Sequence, residues 1–193
     1  VVYSGAFNSC IQVARSVFDT HPQWLFVISP ACFFLSTWVV QKFAPEAGGT
    51  GVPTITHALE LNFATQSSEI DRYLSLKVAG VVILSSLLCM LGAGSLGREG
   101  PMIHIAACLF YFVGRQFHRL WPYTEHRSWI IAGGAAGIAA AFNAPLAGVV
   151  FVLEELAQQH FHRFRTVVLS AAIIGGMVSQ WLSGKYLYFG YPK

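Results

Sequence analysis

Glu99 sits where a carboxylate needs a reason. It stands in Gly97-Arg98-Glu99-Gly100-Pro101, two formal charges set between the apolar runs 78–96 and 102–114. A glutamate near the centre of a bilayer costs roughly 2.5 to 3.5 kcal/mol on insertion scales, and more on an isolated helix. A site that uses the charge explains it better than a mere helix break. The second acidic feature is Glu154-Glu155, at the end of the short apolar run 146–156. There the helix dipole disfavours negative charge, which makes one of the pair a candidate for taking protons from water at a membrane face and relaying them inward. The plainer alternatives are a Glu99 that caps a helix beside a cation, and two interfacial glutamates balanced by Arg163 and Arg165.

The elements that position Glu99 share one device. Three times a proline opens a short apolar helix after residues unsuited to helix: Pro53 after Gly49-Thr50-Gly51, Pro101 after residues 97–100, and Pro145 after Asn143. Proline suits the first helical turn, so each break marks a helix N-terminus placed within the apolar layer. Backbone N–H groups there cannot face lipid and must be buried in protein, line a wet cavity or bind a ligand. The start of a helix carries about half a positive charge and several unused donors, so the ligand that fits is an anion. Two or three such ends converging make an anion site at the midplane, as discontinuous helices do in transporters. A helix start returns about 0.3 to 1 kcal/mol to a carboxylate, up to about 2 when partly buried. That does not offset the insertion cost of Glu99. Ionised, Glu99 would occupy the anion site as a tethered substitute for the ligand; protonated and neutral, it would leave.

Composition agrees with this placement. Of 193 residues, 54% are hydrophobic and 11% charged, with a mean hydropathy of +0.54, too few polar groups to cover a soluble domain of this size. The chain reads as an all-α polytopic membrane protein with broken, re-entrant helices. Residues 22–40 and 78–97 carry no charge and are long enough to cross about 30 Å at 1.5 Å per residue, as is the run 166–184. Residues 1–18 read as the end of a helix, with no signal-peptide pattern over 1–17. Residues 24–42 read as the first complete span, 54–61 as a half-helix, and 62–72 as the most polar loop. Further helices are expected over 73–94, 101–117, 129–141, 146–156 and 164–182. Gly133 and Gly137 have the spacing that lets helices pack closely in lipid. Cys10, Cys32, Cys89 and Cys108 lie singly in apolar runs and read as packing residues. The net charge of +3 concentrates at 115–127 and 160–165, which suits topology signals beside membrane spans and not a nucleic-acid surface. An intramembrane enzyme is disfavoured: HExxH, GxSxG and metal-ligand spacings are absent, and His104 reads as a packed or cavity-lining residue.

These residues resemble the CLC family of chloride channels and proton-coupled chloride transporters. Gly97-Arg98-Glu99-Gly100-Pro101 matches the family's GREGP signature, and Gly49-Thr50-Gly51-Val52-Pro53 resembles its GSGIP signature. Residues 139–148, Ala-Ala-Ala-Phe-Asn-Ala-Pro-Leu-Ala-Gly, followed by Glu154-Glu155, resemble its AAAFNAPLAG and EE segment. The resemblance implies a CLC-type inverted-repeat fold, of which residues 1–193 are the N-terminal half of the transmembrane domain. It implies that Glu99 is the gating glutamate, that Glu155 is the internal proton-transfer glutamate, and that Thr50, Gly51, Gly100, Met102 and Ile103 line the anion path. Thr50 stands where the family usually has serine, keeping the hydroxyl and adding a methyl group. An acid at Glu155 favours chloride/proton exchange over the alternative, a passive voltage- or pH-gated channel. The resemblance further implies a homodimer, no cofactor beyond the transported chloride and protons, and, in a bacterium, the inner membrane. The family's second half, with its GxFxP segment and anion-coordinating tyrosine, has no counterpart here; Tyr186, Tyr188 and Tyr191 lie in the wrong context.

Overall fold

A computed structural model describes residues 2–61, 66–117, 126–156 and 161–183. Among them the chain is helical throughout, with no strand. Helix α1 (Val2–Thr20) stops before His21-Pro22, and Pro22 opens a 3-10 turn, Pro22–Trp24, that runs into α2 (Leu25–Phe43). A second 3-10 turn, Pro45–Ala47, leads to the glycine-rich segment before α3 (Val52–Glu60). Two helices follow, α4 (Ser67–Tyr73) and α5 (Leu76–Leu91), the latter capped by the Ser75 hydroxyl accepting from the Val78 N–H at 3.3 Å. The rest is α6 (Glu99–Phe117), α7 (His126–Phe142), α8 (Pro145–Phe151) continuing as a π-turn, Val152–Leu156, and α9 (Phe161–Ser183).

The helices fall close to where the sequence places them, with two differences. The stretch expected as a polar loop over 62–72 contains α4, because Ile70 and Leu74 are fully buried and Asp71 is held by α6. The run 146–156 is not one helix but α8 and a π-turn, which shifts the register of Glu154 and Glu155. The segment His118–Pro122 and the tail with Tyr186, Tyr188 and Tyr191 lie outside the described residues.

The core is organised on α7. Twelve of its 17 residues are buried, and α6, α8 and α9 close around it. A Cβ on Gly133 would lie 2.7 Å from the Ala106 carbonyl oxygen, and one on Gly137 would lie 3.0 Å from that of Met102. The Gly133/Gly137 spacing therefore brings the α6 and α7 backbones together. A second, smaller core joins α2 and the turn that follows it to α5, through Val39, Ala44 and Ala47 on one side and Val78, Val81 and Val82 on the other. Pro22–Phe43 and Ser68–Leu91 are each long and apolar enough to cross a bilayer. The outer face of α2, with Phe26, Phe34 and Trp38 exposed, is a surface suited to lipid.

Candidate anion site

Backbone conformation sets the start of α3. Gly49 and Gly51 have φ of +91° and +81°, the left-handed region glycine occupies without steric penalty. They turn the chain so that Gly51 caps α3, with Val52 and Pro53 as its first two residues. Close approach adds a second requirement. A Cβ on Gly51 would lie 2.8 Å from the His104 Cβ and 3.1 Å from the Gly100 carbonyl oxygen, while one on Gly100 would collide with the Thr50 carbonyl. The starts of α3 and α6, far apart in sequence, are in backbone contact.

Glu99 is the first residue of α6, so Pro101 is its third. The Glu99 side chain is half-buried and folds back over Gly97, where an added Cβ would collide with Oε2. Arg98, its neighbour, points into a different space. It is only 8% exposed and donates to the Ser4 hydroxyl at 3.3 Å and the Ala141 carbonyl at 3.4 Å. It lines a cavity of about 290 Å³ with Asn8, Asn143 and Ser179. Glu99 lines another, of about 550 Å³, together with Thr50, Gly51, Gly100 and His104.

The structure brings Glu99, Thr50, Gly51 and Gly100 to one cavity. Met102 instead lines the Arg98 cavity, and its N–H donates to the Arg98 carbonyl at 3.1 Å. Ile103 is buried in the main core at 2% exposure. Helix geometry thus leaves the N–H groups of Glu99 and Gly100 as the donors outside the α6 ladder. His104 both packs and lines the cavity. It is 1% exposed, and its Nε2 lies 3.1 Å from the Tyr73 carbonyl, so that nitrogen carries the proton and donates. Glu154 and Glu155 are exposed in the π-turn, and neither lines the Glu99 cavity.

Sequence reasoning missed the opposite wall of the cavity: Ser36 of α2 and Ser85, Ser86 and Cys89 of α5. The signal was present, since beyond Lys77 these three are the polar side chains of α5, at a spacing that shares one helix face.

Among the described residues, two broken helices meet at a half-buried carboxylate within a helical, apolar chain. The chain belongs to the voltage gated chloride channel family, whose model matches residues 32–193. It is similar to the H(+)/Cl(-) exchange transporter ClcA of Cronobacter sakazakii, 39% identical over 166 residues that cover 82% of this chain and 33% of the relative. It also resembles ClcA of Yersinia pestis biovar Antiqua, 37% identical over 165 residues covering 85% and 31%. Among solved structures it resembles a slow cyanobacterial Cl-/H+ antiporter, with a TM-score of 0.71 and 27% identity, over 95% of this chain and 43% of that one. The chain spans about a third of the length of these curated relatives.

Proposed function

We propose that the protein containing this chain exchanges chloride for protons across a membrane, with Glu99 as the gate and Glu155 as the internal proton-transfer group. One observation carries the reading: the Glu99 carboxylate and the Thr50 residue line one cavity at which two helix starts abut. A helix start offers unused N–H donors and partial positive charge, and an anion and an ionised carboxylate compete for them. Chloride is held by the Thr50 hydroxyl and by the N–H groups of Gly51, Glu99 and Gly100, the last two lying outside the α6 ladder. When Glu99 takes a proton it loses its claim on those donors, and chloride replaces it. Coupling follows because the same residue that yields to chloride carries the proton.

Glu155, exposed in the π-turn, receives protons from water on the far side and passes them towards Glu99. Residues 1–193 form the first of two inverted halves, and the second half completes the anion path. The protein works as a homodimer in the membrane, the inner membrane in a bacterium, and needs no cofactor.

Paired chloride and proton fluxes from liposomes holding the full-length protein test this. Wild type is expected to move both ions in fixed ratio. Glu99→Gln, an imitation of the protonated state, should remove the pH dependence of chloride flux and the proton flux with it. Glu155→Gln should abolish proton flux and spare chloride flux. Chloride movement by wild type without proton uptake would replace exchange by a passive channel, and proton coupling retained in Glu99→Gln would remove Glu99 from the gate.

A further inference from the structure

Helices α3 and α6 run side by side in one direction. Their starts abut at Gly51 and Gly100, and their later turns both meet the start of α7. There the Leu61 carbonyl accepts from the Arg127 guanidinium at 3.2 Å, and the Tyr111 and His126 rings lie 6.3 Å apart. A steric contact between two helix starts limits how closely they approach. It does not hold them in register.

The short helix α4 is tied to both. On the α3 side, Arg72 donates to the Glu46 carboxylate at 2.9 Å, in the 3-10 turn that leads to the glycines ahead of α3. The Tyr73 ring meets the His57 ring of α3 edge-on, with centroids 5.3 Å apart. On the α6 side, Asp71 accepts from the Tyr111 hydroxyl at 2.9 Å and from the Arg115 guanidinium at 2.5 and 2.6 Å. The Tyr73 carbonyl accepts from His104 Nε2 at 3.1 Å. His104, Tyr111 and Arg115 follow one another at helical spacing, along one face of α6. Among the described residues, none that lines the Glu99 cavity belongs to α4.

His104 is the link nearest the site, one turn beyond Gly100 and itself a lining residue of the cavity. A Cβ on Gly51 would lie 2.8 Å from the His104 Cβ and 3.2 Å from its Cγ. The α6 backbone fixes that Cβ, whereas Cγ and the ring swing with χ1 among staggered positions. The bond to Tyr73 selects one of them. The Tyr73 carbonyl in turn belongs to the last turn of α4, where a helix leaves its carbonyls without internal donors.

We propose that α4 is a brace that sets the spacing of the α3 and α6 starts, and that His104 is the positioning residue through which it acts. This rests on the reading of those starts as the chloride site, and not on proton exchange. An ion held by donors from two helices loses some of them when the helices part, so the brace governs chloride affinity.

Chloride binding to the purified full-length protein, titrated by calorimetry from chloride-free buffer, reads the brace without transport. His104→Leu removes the donor, and its chloride Kd should rise about fivefold, within the usual net worth of one hydrogen bond. His104→Gln, whose amide nitrogen donates from about the reach of Nε2, should stay within about twofold of wild type. Asp71→Asn loosens α4 at its exposed ion pair and should raise Kd about threefold. Added to His104→Leu it should raise Kd no further, because both act through one contact. Ile70→Val, a packing loss in α4, should lower the unfolding temperature and leave Kd unchanged. A wild-type Kd in His104→Leu, or a loss in His104→Gln equal to that in His104→Leu, would overturn the role of His104. Unchanged affinity in Asp71→Asn, or a loss in Ile70→Val as large as in His104→Leu, would overturn the brace; where His104→Leu fails to fold, Asp71→Asn decides. Exchange is judged on wild type alone. A protein that moves chloride without protons yet shows these affinity changes keeps the brace, and an exchanger whose variants bind chloride as wild type does loses it.

Discussion

Two proline breaks use the same device to opposite ends. At residues 49–53 a left-handed glycine turns the chain into α3, and the new helix start faces a cavity shared with Glu99. At 143–145 a left-handed Asn143, φ +56°, turns the chain into α8. There the helix start packs on one side against α7 and α9 and does not line the Glu99 cavity. A Cβ on Gly176 would lie 2.6 Å from Pro145 Cγ, and one on Gly148 would collide with the Ala135 carbonyl. Early donors of α8 are also occupied, the N–H groups of Ala147 and Gly148 both donating to the Ala144 carbonyl at 3.1 and 3.4 Å. A helix start within the apolar layer is therefore a site only where the surrounding packing leaves it open. Otherwise it is a corner that lets a helix turn back against its neighbours.

The largest expected effects set these two breaks against each other. Gly100→Ala thrusts a methyl group at the Thr50 carbonyl, and neither backbone can move without reshaping the cavity. We expect chloride turnover to fall at least about tenfold, which 1.4 kcal/mol of the 1 to 3 typical of overpacking is enough to cause. The unfolding temperature in detergent should fall as well, because the same collision costs stability. Gly148→Ala should likewise lower the unfolding temperature and the yield of monodisperse protein, but there the correctly folded fraction keeps its turnover. Exchanged phenotypes would erase the distinction between an open and a closed break.

A smaller effect is expected at Asn143. Alanine there must take the left-handed conformation, which costs an L residue roughly 1 to 2 kcal/mol, so Asn143→Ala should melt earlier and Asn143→Gly should not. The smallest belongs to Thr50→Ser, which removes a methyl group beside the cavity. The nitrate-to-chloride flux ratio should move by no more than about fourfold, the worth of about 0.8 kcal/mol for one buried carbon. A larger shift would mean that Thr50 shapes the site rather than merely donating to it.

Much of this was legible in the chain. The three prolines located the helix starts to within two residues, and the glycine pair on α7 announced a close helix contact without naming the partner, because those signals are local: a fixed φ, a missing Cβ, a repeat every four residues. What could not be read depended on distant partners. Helix α4 exists in a stretch rich in polar residues because Asp71 takes the Arg115 guanidinium on both carboxylate oxygens, at 2.5 and 2.6 Å, and the Tyr111 hydroxyl at 2.9 Å. Nothing near Asp71 in sequence reports that. The divergence of Arg98 from Glu99 into separate cavities, and of Met102 from Gly100, depends on which neighbours α1 and α9 bring to each face. The three motifs looked equivalent for the same reason. Sequence shows that a helix begins, and only packing shows what it begins against.

The burial of α7 on nearly every side bears on how the protein is made. A helix with twelve of 17 residues covered by protein keeps little outer surface to hold it in lipid by itself. Its small side chains bury little apolar area each, and most of what anchors it is contact with α6, α8 and α9. As the chain emerges from the ribosome, α7 gains its setting only when α9 closes over the surface that α6 leaves bare. These four helices therefore depend on one another for their packing, and without α9 the glycine- and alanine-rich surface of α7 is left uncovered.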